Sequence, residues 1–233
     1  DQSISEHLED ATYKLAELLY WQKKLTAALP YFSKLERLAS TKVHFTSAVV
    51  GQMRCNYSLG NLDAAKKNAT DVLPIENIES EYLIEANLVL GKIQYGAGNF
   101  LTSMFHLDYV VKESSTEEGA EAQYYRCKVL YDQQKLEEAR TAVFGLSEDY
   151  ASYEYWVVKG FVLLSDIYVA EEDYFQARAT LQGIQDAYDG DQAILDEIAE
   201  KLKALDALEK KGEEGTAPEE DGDEEDQEES EEE

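Results

Sequence analysis

The stretch GNLDAA, residues 60 to 65, constrains this chain more than any other because it comes back. It returns as GNFLTS at 98–103, QKLEEA at 134–139 and EDYFQA at 172–177, with a worn copy, KKLTAA, at 23–28. The small residues closing the copies are Ala28, Ala65, Ser103, Ala139 and Ala177, at steps of 37, 38, 36 and 38 residues. A near-constant period marks a stacked-repeat protein, in which no unit buries its apolar face alone and each is completed by its neighbours. Apolar residues flank each copy at helical spacing, as Leu8, Ala11, Leu15, Leu18 and Leu19 do. Each copy therefore reads as the bend and first turn of a helical hairpin. The expected fold is all-α, a solenoid of about five antiparallel helix pairs plus a C-terminal capping helix.

The repeats fall at about 6–40, 43–75, 79–113, 117–148 and 152–188, together spanning 1–188. Lys23-Lys24 makes the first bend. Gly60-Asn61 and Gly98-Asn99 make the next two, where glycine supplies the left-handed conformation that ends a helix. Gln133-Gln134 replaces glycine in the fourth unit. Pro30 is expected in the first turn of a helix starting at Ala27, where it costs no hydrogen bond. Residues 112–119 form a polar connector whose hydroxyls can cap the next helix. The helix over 153–174 is apolar on nearly every face, which implies burial on more than one side. Ile194, Leu195, Ile198, Leu202, Leu205 and Leu208 stripe one side of a capping helix, 189–211, whose other side is charged. The tail, 212–233, is expected to be disordered and acidic.

Charge limits the partners. The chain carries 49 acidic and 21 basic residues, a formal net charge of −28. The tail holds 14 of the acids and no base, which leaves 35 against 21, or −14, for the rest. Nucleic acid and anionic lipid would be repelled. No apolar run approaches the ~20 residues of a membrane span, so no direct membrane insertion is expected. Cys55 and Cys127 sit two repeats apart, too far for a disulfide, and read as small buried residues. The chain begins at Asp1 with neither an initiator methionine nor a signal peptide, as expected of a mature product or a piece of something longer.

Candidate chemistry is sparse. His7, His44 and His106 are isolated, and no metal-ligand spacing, phosphate-cradling loop or nucleophile elbow is present. No enzymatic activity, metal or cofactor is expected. Asn56-Tyr57-Ser58 and Asn68-Ala69-Thr70 match the glycosylation acceptor pattern but lie inside expected helices. One constellation does emerge from aligning the repeats. Arg54, Lys92 and Lys128 share a register, each followed three residues later by Tyr57, Tyr95 and Tyr131. Residues three apart share a helix face, so stacking predicts a ladder of cation–tyrosine pairs. The first unit has Glu17 and Tyr20 there and the fifth has Asp166 and Val169, confining the ladder to the middle three.

Helix–bend–helix units with a small residue early in the second helix, an aromatic late in the first and Gly-Asn between resemble tetratricopeptide repeats. Residues 90–110, LGKIQYGAGNFLTSMFHLDYV, come nearest, with Leu90-Gly91 and Tyr95 at family positions. The resemblance covers residues 6–188 and implies a right-handed superhelix whose first helices line a concave groove. Arg54, Tyr57, Lys92, Tyr95, Lys128 and Tyr131 become groove candidates for a peptide or partner protein of acidic character, steered by the cations and held on the tyrosines. The period near 37 exceeds the family's 34, and the family's carboxylate-clamp asparagine is missing. The fifth unit also looks like the last repeat of long tetratricopeptide proteins from Bacteroides-type bacteria, which implies the cell envelope on its periplasmic side, with cytoplasm left open.

The favoured function is a non-enzymatic interaction scaffold. An architectural spacer with no groove ligand is the alternative, since tyrosine late in the first helix also serves packing and a nearby cation can snorkel to water. The acidic tail reads as a solvating segment, as a site for a basic partner, or as a strand folding back over the cations.

Overall fold

The computed structural model describes residues 2–214, with the side chains of 7–208. It is an all-α solenoid of five antiparallel helix pairs and a closing helix. The pairs are α1 (Gln2–Trp21) with α2 (Leu25–Leu38), α3 (Lys42–Ser58) with α4 (Leu62–Val72), and α5 (Ser80–Gly96) with α6 (Phe100–Glu113). They continue with α7 (Glu117–Asp132) and α8 (Leu136–Asp149), then α9 (Glu154–Ala170) and α10 (Tyr174–Ala187), closed by α11 (Gln192–Glu214). Residues 215–233 of the acidic tail lie outside the described residues.

The period has one backbone cause. Lys23, Gly60, Gly98, Gln134 and Glu172 all adopt positive φ, between 58° and 77°. Each stands five residues before the small residue of its unit. At each bend the next N–H reaches back five residues to a carbonyl: Lys24 to Leu19, Asn61 to Asn56, Asn99 to Gln94, Lys135 to Leu130 and Asp173 to Tyr168, at 2.9–3.0 Å. The left-handed residue's own N–H reaches back three, as Gly60 does to Tyr57 at 3.0 Å. This is the Schellman closure, which satisfies carbonyls left over at a helix end and reverses the chain in three residues. Two bends use glycine and three do not. The register, not the residue type, is what repeats.

The small residues earn their conservation of register by burial. Ala28, Ala65, Ser103, Ala139 and Ala177 are fully buried, and the Ser103 hydroxyl donates to the Gly91 carbonyl at 2.8 Å. A second column of small residues, Ala11, Ala48, Ala86, Ala122 and Gly160, runs along the first helices, each 17 residues before its unit's marker; Ala11 on the first helix is exposed and the other four are buried. Helices approach closely there: a Cβ on Gly160 would lie 2.8 Å from Leu146. The odd-numbered helices touch in succession, α1 to α3, α5, α7 and α9, while no two even-numbered helices are in comparable contact. The array therefore curves toward its odd-numbered row, which lines the inside. α11 packs Ile194, Ile198 and Leu205 into the apolar cluster of α9 and α10, with Leu195 and Leu202 partly buried against it, while Leu208 at the end of the expected stripe is exposed.

Pro30 corrects the sequence reading. α2 starts at Leu25, so the proline falls in its second turn and forgoes a helical hydrogen bond. The α1–α3 junction is closed by Glu9, whose carboxylate accepts from the Ser40 N–H (2.9 Å) and Ser40 hydroxyl (2.7 Å) and meets His44 Nδ1 at 2.7 Å. Those bonds, led by the Ser40 hydroxyl, lower the Glu9 carboxyl to about 2. The glycosylation-like asparagines are buried against each other, Asn56 Nδ2 donating to Asn68 Oδ1 at 2.9 Å. Cys55 and Cys127 are buried free thiols.

Candidate functional site

The six candidate residues sit on the inner row, on α3, α5 and α7, all half-buried. Their partnering differs from the sequence expectation. Instead of pairing with the tyrosine three residues on, each cation stands over the tyrosine of the preceding repeat. Arg54 lies 6.0 Å from the Tyr20 ring, Lys92 5.1 Å from Tyr57 and Lys128 4.9 Å from Tyr95. Side chains on a helix lean toward its N-terminus, and stacked helices bring a neighbour's ring within reach. Tyr20 therefore joins the row although its own unit has Glu17 at the cation position.

The cations are not equal. Arg54 makes a two-pronged bond to Glu85 on α5, with N–O distances of 2.6–3.0 Å. Lys92 is bonded to Glu121 on α7. Burial alone would depress both, but Glu85 and Glu121 outweigh it and hold Arg54 and Lys92 above their ordinary values. Lys128 has no ion pair among the described residues. It rests instead among Tyr95, Tyr124 and Tyr125, the latter two at 5.9 and 5.8 Å.

Tyr95 donates its hydroxyl to Asp132 at 2.7 Å, and burial followed by that bond raises its pKa. Tyr131 faces Asp166, which is paired with Lys201 of α11 at 2.6 Å. These residues border a cavity of about 260 Å³ shared by Tyr95, Tyr124, Lys128, Tyr131 and Lys159. Lys159 and Tyr124 escaped the sequence reading because the alignment was anchored on one cation column only. Lys159 is seven residues before Asp166, on the next turns of the same face, and a second pass along the register would have found it. No group of three or more His, Cys, Asp or Glu able to hold a metal occurs among the described residues. No described helix is long and apolar enough to cross a membrane.

A larger cleft of about 510 Å³ opens between α8 and α10, lined by Phe144, Val157, Phe161 and Ile184. It is more apolar and carries no converging charges. Among the described residues, the inner row carries cation–tyrosine contacts that recur with the repeat.

No protein-family model matches the sequence, and no curated protein sequence matches it. Solved structures do. MamA from Desulfovibrio magneticus RS-1 is similar with a TM-score of 0.65 at 14% identity, over 78% of this chain and 97% of that one. YrrB, described as a TPR protein with an unusual peptide-binding site, gives 0.63 at 20% identity, over 86% and 97%. PilF of Pseudomonas aeruginosa gives 0.61 at 11% identity, over 91% and 95%. At these identities the likeness is one of fold: helix pairs, bends and inner row together make this a chain with the tetratricopeptide-repeat fold.

Proposed function

We propose that this chain is a non-enzymatic interaction scaffold that holds an extended, acidic partner segment along its inner helix row. The observation carrying this reading is the row of half-buried tyrosines, Tyr57, Tyr95 and Tyr125, each with a lysine over its ring, continued by Tyr131. Tyrosine supplies contact area at low entropy cost, and cations select the sign of what approaches. A peptide-binding site is named for the similarly folded YrrB, which supports the reading by analogy.

The spacer reading has its own observation. Arg54 and Lys92 are neutralised by the chain itself, as expected where cations serve repeat stacking. A photo-crosslinking amino acid at Tyr57 or Tyr95, compared with one at Phe105 or Phe175 on the outer helices, separates the two. One and the same partner crosslinked from the inner positions and not from the outer ones supports the scaffold. Adducts absent from the inner row leave the spacer.

A further inference from the structure

From α3 onward four junctions join successive inner helices, α3–α5, α5–α7, α7–α9 and α9–α11, and their charges follow a register. The α1–α3 step before them has Glu17 and Ser47 at the corresponding positions and no ion pair there among the described residues. Glu85 and Glu121, which neutralise Arg54 and Lys92, each lie 18 residues before the small residue of their unit, Ser103 and Ala139. In the fifth unit the residue 18 before Ala177 is Lys159. The third junction therefore sets a lysine where the first two set a glutamate. The fourth junction reverses the sign, with Asp166 on α9 taking Lys201 from α11 at 2.6 Å. Plus-to-minus, plus-to-minus, plus-to-plus, minus-to-plus: of these four steps α7–α9 sets like charges opposite each other.

The two lysines stay unmatched. Among the described residues neither makes an ion pair or a hydrogen bond. Lys159 stands 5.3 Å from the Tyr124 ring and 5.7 Å from Tyr155, and Lys128 shares Tyr124 with it. Ring faces attract a cation but do not cancel its charge. Both ammoniums face the same 260 Å³ cavity. Three carboxylates also face it, and each has a bond elsewhere. Asp132 accepts from the Tyr95 hydroxyl at 2.7 Å, Asp166 is held by Lys201, and Glu197 stands 3.7 Å from that same lysine. The Tyr95 hydroxyl is neutral, so Asp132 keeps its charge at the cavity. Neither ammonium is in ion-pair contact with it or with another described carboxylate, and both keep N–H donors to offer an acceptor that enters.

We infer that Lys128 and Lys159 form a two-ammonium subsite that takes the carboxylate of an acidic side chain on a partner segment. This rests on the inner-row reading above and narrows it: of the cations Arg54, Lys92 and Lys128, only the last acts on the partner, and it does so together with Lys159. The cavity has room for a side chain and not for a folded element. The surrounding tyrosines exclude water from the anion's flanks, strengthening its attraction to both ammoniums.

The probe is fluorescently labelled decaglutamate, followed by anisotropy at low and at high salt with the whole chain. Lys159→Glu restores the acid that the register carries at Glu85 and Glu121, gives Lys128 an ion pair and removes the subsite without leaving a buried charge alone. Binding at least tenfold weaker is expected for Lys159→Glu and for Lys128→Gln with Lys159→Gln. The urea midpoint of Lys159→Glu should be unchanged or higher, which excludes unfolding as the cause. Arg54→Gln with Glu85→Gln, which removes an already neutral pair, should bind within twofold of the unaltered chain. Failure of the unaltered chain to bind, equal binding by Lys159→Glu, or an equal loss with Arg54→Gln/Glu85→Gln would each overturn the inference. Inner-row crosslinks that persist in such a case leave the scaffold reading standing; their absence removes both.

Discussion

Exchanging residues between two bends isolates the one backbone feature that all five repeats share. Gly98 and Gln134 occupy the same register position at φ of 72° and 60°. A Cβ added at Gly98 would meet nothing within 4 Å, and Gln134 is exposed, so neither exchange makes or breaks a side-chain contact. Only the backbone cost remains. A non-glycine residue in the left-handed region is disfavoured by roughly 1–2 kcal/mol. Glycine gives back roughly 0.5–1 kcal/mol through the freedom it has when unfolded. Gln134→Gly should therefore stabilise by about 0.5–1 kcal/mol and Gly98→Gln should destabilise by about the same. With a urea slope of about 2 kcal/mol per M, the midpoint moves up or down by about 0.25–0.5 M. The sites are 36 residues apart in different bends, so the double exchange should return near the starting midpoint. Far-UV circular dichroism against urea reads all three. A neutral Gly98→Gln, or a Gln134→Gly that lowers the midpoint, would refute the claim that the left-handed bend limits stability at these positions.

Other consequences follow from single contacts. Gly51→Ala would drive a methyl to 2.3–2.5 Å from the buried Phe32 ring and should cost about 1–3 kcal/mol, whereas Gly183→Ala in α10 meets nothing within 4 Å and should gain up to about 1 kcal/mol; urea midpoints of opposite shift check the pair. Glu9, lowered to about 2 from its ordinary 4.5, contributes stability that is present above 4.5 and lost as pH falls through 2. Amide protection in α1, corrected for the intrinsic pH dependence of exchange, should fall over that acid window in the unaltered chain, and Glu9→Gln should remove that pH dependence while weakening the junction at neutral pH. Burial raises the Cys55 and Cys127 thiols to about 11 and 12, so iodoacetamide at pH 8 should modify neither until urea unfolds the chain, then both, by intact mass. Glu85→Gln removes the negative charge and one of the two oxygens that hold the half-buried Arg54 guanidinium and should cost about 1–2 kcal/mol in the same urea assay.

Much of the fold was legible in the chain, and for a local reason. A bend with a left-handed residue, a small residue five positions later and apolar spacing on both sides act over distances the sequence itself spans. Ala28, Ala65, Ser103, Ala139 and Ala177 had to be small because two helices cross there, and their burial shows it. Pro30 was misplaced by a turn because helix starts carry a weaker signal than helix faces; Leu25 and Thr26 look the same inside a helix or before it.

The site was legible only in part. Aligning the repeats brought Arg54, Lys92, Lys128 and their tyrosines onto one face, which follows from helical geometry alone. Which ring each cation meets, and which cation has a carboxylate beside it, depends on residues 29 to 35 positions away that stacking brings alongside. Within one helix Arg54 and Lys128 look alike. Only the tertiary structure gives Arg54 the Glu85 carboxylate and gives Lys128 the ammonium-bearing face of α9, because electrostatics is decided by distance in space and the repeat carries its neighbours' charges as well as its own.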